Sequence, residues 1–239
     1  MTNIAAQPII NSTIGTCQIA EEILGEARVM IGTPASYIRL NLVKGVLVLG
    51  GYSIPGTPSP TLKGKVIEAT VRTLQATGVY ADKLEDCTLI LDVDGADING
   101  VLLNNCRNVR ILGTKVTNVG TEAIGSGYAI NLKNCHGITI EGFYPENVRY
   151  GVTMQGVCTD ITVNGCECSG AWVAADVDNH GAMVDGLKLR RVRTLKTFNE
   201  THGGVVREAD IGPETVVAWD IPGLKMLRAR IAETNQPTQ

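Results

Sequence analysis

Apolar and polar residues alternate in short runs through the middle of the chain, and the runs recur. Around Cys106 the sequence reads GVLLNNCRNVRILG, around Cys135 it reads AINLKNCHGITIEG, and around Cys158 it reads GVTMQGVCTDITVNG with one residue inserted. Val101, Ile130 and Val152 occupy one position, and Leu103, Leu132 and Met154 the next. After the cysteine come Val109, Ile138 and Ile161, then Ile111, Ile140 and Val163, then Gly113, Gly142 and Gly165. Within each copy the paired apolar residues stand two apart, which is the period of a strand and not of a helix. Asn118-Val119 and Asn147-Val148 extend the agreement five residues past the glycine. A fainter copy puts Val184, Leu187 and Leu189 in register with Arg191 at the glycine's place, and an earlier, shorter one is read around Cys87, Leu89 and Leu91.

The cysteines of the three copies are 29 and 23 residues apart, and Val184 follows Cys158 by 26. Such a period holds roughly three strands of ~3 to 5 residues with their turns. No helix-length amphipathic stretch separates the copies, which excludes βαβ, leucine-rich and ankyrin architectures. The pattern predicts an all-β solenoid, a parallel β-helix, in which each cysteine, valine and isoleucine stacks on its equivalent inside one dry core. The recurring glycine marks a turn that needs a positive φ. An antiparallel sandwich, with Asn99-Gly100 and Asn164-Gly165 as hairpin turns, is the alternative fold, though the two dipeptides fall at different places in the repeat.

The ends do not repeat. We divide the chain into an N-terminal cap or attachment segment (1–80), the β-helix (81–200) and a C-terminal cap with a solvated tail (201–239). Ile19, Ile23, Leu24 and Ala27 stand at helical spacing and predict a short helix over 18–28, while Val46 to Leu49 reads as a buried strand. The caps would cover strand edges that otherwise template aggregation.

Composition agrees with thin stacked layers, since aromatic residues are only 4% and 27 glycines are present. The net charge of -3 argues against nucleic acid and anionic membranes as partners. No apolar run approaches a membrane span, and the first residues lack a basic and apolar leader, so no membrane segment and no signal peptide are expected. Seven cysteines, of which only Cys166 and Cys168 are close, make no disulfide framework and no zinc site; free, buried thiols are expected, with no metal and no cofactor.

From about Cys87 to Leu195 the repeat resembles the pectate-lyase-like right-handed β-helix superfamily, including phage tailspikes. The resemblance implies a right-handed coil and two classes of function. The first is a non-enzymatic structural or binding protein of a phage virion, a capsid decoration or cement protein or a tailspike-like part. Such a protein is made in the host cytoplasm without a signal peptide, is commonly a homotrimer, and has a capsid or tail protein, or host glycan, as partner. The second is a polysaccharide lyase or glycoside hydrolase.

Residues that would carry an enzyme are Asp176, Asp178 and His180 in AADVDNHG. On an extended strand they share one face with carboxylates roughly 7 Å apart, a separation that suits an inverting hydrolase. A hydrated loop is the preferred reading, because no catalytic motif spans neighbouring repeats and Tyr128, Tyr144, Tyr150 and Trp172 are the repeat region's main aromatics for a sugar platform. Asp92, Asp94 and Asp97 fail the order of a calcium loop and read as a turn. Lys188, Arg190, Arg191 and Arg193 form the one basic cluster, a solvated face or a contact for an acidic surface. Lys188, Arg190 and Arg193, with the outward apolar residues Phe143, Tyr144 and Trp172, are the partner-binding candidates. His136 and His202 look isolated.

Overall fold

The computed structural model describes residues 18–29, 36–50, 61–120, 127–167, 171–177, 182–193, 198–200, 205–206, 209–211, 225–226 and 229–231. All pairings between the described strands are parallel, 20 strands forming one continuous sheet and two a small one. Apart from Gln18–Val29, which pairs with the next strand Tyr37–Gly50, each described strand pairs with its equivalent one coil away and not with its chain neighbour, which is the topology of a parallel β-helix. No helix occurs among the described residues.

The coil has three sides. One long side stacks Val66–Arg72, Thr88–Asp94, Arg110–Leu112 with Lys115–Thr117, His136–Glu146, Val157–Glu167 and Leu187–Arg193. A second side stacks Thr77–Asp82, Asn99–Asn104, Tyr128–Lys133, Val148–Gln155 and Ala171–Val177. A short edge runs from Leu62–Lys63 through Leu84–Glu85, bridges at Arg107 and His136, and continues through Val157 to Thr159 into Met183–Asp185.

Inside, the apolar repeat positions form rows. Val101, Ile130 and Val152 stack, as do Leu103, Leu132 and Met154, all fully buried. Cys106, Cys135 and Cys158 are free and buried, with Val184 in register above Cys158. Their Sγ atoms lie within 3.3–3.4 Å of the carbonyls of Asn104, Lys133 and Gln155. The early copy is shifted relative to expectation: Thr88 and Leu89 pair with Arg110 and Ile111, so Cys87 falls beside Val109 and not beside Cys106. Leu84 takes the cysteine's place, as its carbonyl receives the Arg107 N–H. A dry row needs an apolar side chain there, not sulfur in particular.

The recurring glycine has positive φ in all three copies, 53° at Gly113, 62° at Gly142 and 73° at Gly165. The turn also holds an extra residue. Leu89 opposes Ile111 but Asp92 opposes Lys115, so one coil is longer by one residue at Gly113, and the offset persists upward. Thr114 mends the gap by accepting the Leu91 N–H on Oγ1 at 3.2 Å. This bulge corrects one expectation about the surface. Alternation along Ile138, Ile140 and Gly142 would put Phe143 outside, but the extra residue reverses the parity, so Phe143 is fully buried opposite Cys166 and Tyr144 is turned out.

The segment 18–28 is not a helix. Gln18–Val29 is a strand paired in parallel with Tyr37–Gly50, which turns a corner at Lys44 (φ 58°) and pairs onward with both Val66–Arg72 and Thr77–Asp82. Parallel pairing therefore extends into the region assigned to the N-terminal cap. It also reaches Lys225–Met226 and Ala229–Ile231 in the C-terminal region.

Candidate functional site

On the second side, Ile130 and Leu132 face the core, as do Val152 and Met154. The residues between them, Asn131 and Thr153, must point to the outer surface. They are nonetheless shut off from solvent, at 4% and 0% exposed. Asn131 Nδ2 donates to Asn99 Oδ1 at 3.0 Å, and Asn99 Nδ2 donates to Thr77 Oγ1 at 3.4 Å. Among the described residues, Asn131 Oδ1 and Thr153 Oγ1 have no hydrogen-bond partner. Buried polar atoms without partners are uncommon and cost free energy.

Aromatic rings flank the row. Tyr128 stacks on Tyr150 with centroids 5.2 Å apart and planes at 17°, and the Arg149 guanidinium carbon lies 5.1 Å from the Tyr150 ring centre. Register continues the polar row from Thr153 to Asp176 and from Asp176 to Asn199. Trp172, between Ala171 opposite Val148 and Val173 opposite Tyr150, falls at the position opposite Arg149. Four of the residues picked from sequence, Asp176, Trp172 and the stacked Tyr128 and Tyr150, thus share one side with two buried polar atoms that lack partners among the described residues. Asp178 and His180 lie outside the described residues.

The other candidates are scattered. Lys188 is exposed and opposes Thr162; Arg190 opposes Asn164 and Arg193 opposes Glu167, all on the long side. Tyr144 is half-exposed on the same side, in register with Lys115. Asp92 is held by a two-pronged contact from Arg72 at 2.9 and 3.1 Å. Asp94 accepts from Thr117 Oγ1 and Asn118 Nδ2, both at 2.7 Å. These carboxylates serve the corner before Gly95 (φ 92°), as the turn reading expects. Burial alone would raise the Asp94 pKa, but the Thr117 and Asn118 hydrogen bonds, with Arg72 and Lys115 nearby, hold it below the ordinary aspartate value. His136 is not isolated: its Nδ1 contacts Thr159 Oγ1 and lies 3.4 Å from Asp160 Oδ2. His202 lies outside the described residues.

No family model matches the sequence, and no curated protein matches it. Solved structures do. The ORF18 protein of Geobacillus virus E2 is similar with a TM-score of 0.54 at 11% identity, over 96% of this chain and 55% of that one. A mutant tailspike protein of E. coli bacteriophage HK620, solved in complex with a pentasaccharide, aligns with a TM-score of 0.40 at 9% identity, over 95% of this chain and 58% of that one. The chain therefore spans little more than half the length of each. At these identities the likeness concerns the fold.

Proposed function

We propose that the chain is a non-enzymatic structural or binding part of a phage virion, a decoration protein or a tailspike-like segment, working as a homotrimer. The observation that carries this reading is the parallel coil itself, of the kind found in a protein encoded by Geobacillus virus E2. Its outer surface supports it. Coil-to-coil ion pairs, Arg39 with Glu68, Arg72 with Asp92 and Arg110 with Glu141, tie one rung to another. A stiff rod with side chains cross-linked along its axis suits a mechanical or docking role.

A second reading, a polysaccharide lyase or glycoside hydrolase, draws on Asp176 standing in register with Asn131 and Thr153 beside the stacked tyrosines. The two separate in one experiment. The purified protein is mixed with virions and, separately, with a panel of acidic polysaccharides. Co-sedimentation with particles and no release of reducing or unsaturated ends supports the structural role. Release that disappears in Asp176→Asn and Asp178→Asn variants supports the enzyme and removes the first reading.

A further inference from the structure

The short edge of the coil carries a row of outward residues in register: Lys63, Glu85, Arg107, His136, Thr159 and Asp185. Its charges are unequally matched. The Lys63 ammonium reaches Glu85 at 2.8 Å and Asp86 at 3.2 Å, and Asp86 also accepts from Asn108 Nδ2 at 3.1 Å. His136 lies against Thr159 and Asp160. Arg107, between these two groups, has an exposed guanidinium with neither an ion pair nor a hydrogen bond among the described residues.

Beside Arg107 the surface opens into a depression of about 350 Å³, lined by Arg107, Asn134, Cys135, His136, Val157 and Thr159. Its shape follows from the insertion in the third repeat. Lys133 opposes Gln155 while His136 opposes Thr159, so that coil holds one residue more, and Val157 stands out, 55% exposed. The Val157 N–H is taken by Asn134 Oδ1 at 3.0 Å. That bond fixes the amide so that its Nδ2 donor is the end left over. The depression thus has a guanidinium fork, an amide N–H and an imidazole at its polar rim, and an apolar wall from Val157.

We propose that this depression binds a carboxylate carried on a short apolar stem. The Arg107 fork matches the two carboxylate oxygens, Asn134 Nδ2 adds a neutral donor, and the stem packs on Val157. Among the described residues, Asp160 is the carboxylate that faces His136. It holds the imidazole beside the bound anion without reaching Arg107, whose other carboxylate neighbours, Glu85 and Asp86, are already engaged by Lys63. An exposed site of this kind, made of one charge-assisted pair and one amide contact, has a half-saturation on the order of millimolar.

Propionate is titrated into the protein at constant ionic strength, with the His136 imidazole resonances, assigned through a His136→Gln variant, as the readout. A saturable shift is expected, weakened by about tenfold or more in Arg107→Gln. Arg110→Gln, which loses the same charge from an exposed residue paired with Glu141, should leave it unchanged. A short oligoglutamate peptide is the second ligand. Saturation tighter than propionate's assigns the natural carboxylate to a protein partner, and equal saturation assigns it to a free organic acid. A linear shift, the same shift with chloride, or an unaltered titration in Arg107→Gln overturns the proposal.

Discussion

Cys106, Cys135 and Cys158 do the work of small apolar residues, and their chemistry follows from that placement. Burial pushes the Cys158 thiol up to about 11, and the contact with Cys106 together with burial raises Cys135 as well. The thiolate is the reactive form, so alkylation of the folded protein at pH 8 should be slow at Cys135 and Cys158, slow at Cys106 because that thiol is shut off from solvent, and rapid at all three after denaturation. Prompt labelling of the native protein would mean that the rows are misplaced. Cys135→Asp should cost several kcal/mol in urea unfolding, since it puts an unpaired charge into a dry interior, whereas Cys135→Val should be close to neutral. Gly156 is a different kind of fixed residue. Its φ is 63°, and a Cβ there would lie 2.2 Å from the Asn134 amide oxygen that holds Val157. Gly156→Ala should therefore lose about 1 to 3 kcal/mol, read as a lowered urea midpoint.

Single elements show where residue patterns stop being sufficient. The strand Gln18–Val29 reads as a helix because its pairing is irregular between Ala20 and Ile23 and again between Leu24 and Glu26. Each irregularity shifts the parity, so the residues in register with the buried Leu40, Leu42 and Leu47 are Ala20, Ile23 and Ala27, at intervals that mimic a helical face. Phe143 was misjudged for the same reason, one coil above the bulge that begins at Gly113. The cysteine copies were legible because side-chain identity and spacing repeat together; the copy at Leu84 was not, because any apolar residue fills that place. On the second side Asp176, Trp172 and the tyrosines at 128 and 150 stand out in the sequence. Asn131 and Thr153 look like an ordinary solvent face, and their burial is not written in the alternation of their own strands. Deleting Gly142 tests the bulge: strict alternation then keeps Phe143 inward and Tyr144 outward, as Leu91 and Asp92 stand two coils below. Urea unfolding should therefore lose only about 1 to 3 kcal/mol, and a loss of about 4 kcal/mol or more, as for a strand whose faces are exchanged, would mean that the bulge does not set the parity. The corner beside it is a ladder in which Asn147 Nδ2 donates to Asn118 Oδ1 at 2.8 Å and Asn118 to Asp94. Asp94 titrates below its ordinary value, so the unfolded chain binds its proton more readily. Its stabilisation is then complete above the unfolded pKa, near ~4, and is lost as the pH falls through the lower folded value. Asp94→Asn should flatten the acid limb of a stability-against-pH curve; a limb of unchanged steepness would remove Asp94 from that role.

At the scale of the whole molecule the question is what keeps a thin coil from associating without limit. A parallel stack ends in strand edges, and a narrow core leaves a large surface for its mass. Closed association is the usual answer, because a symmetric oligomer buries side surface without leaving a growing end. The described surface favours side-to-side contact over further ion pairing. Leu74, Ile98, Tyr144 and Val157 are its exposed large apolar residues, while its arginines at 39, 72 and 110 are already paired within the chain. We therefore expect a homotrimer. Tyr144, on the long side next to the Lys115–Glu146 pair, is a candidate for the contact, and Phe143 is withdrawn because it belongs to the core. Sedimentation should give a trimer mass at micromolar concentration, and Tyr144→Glu should shift the distribution toward monomer while leaving the urea midpoint of the monomer within about 0.5 kcal/mol, as for an exposed position. A monomer mass for the unaltered protein, independent of concentration, would remove the trimer and leave the coil as it is.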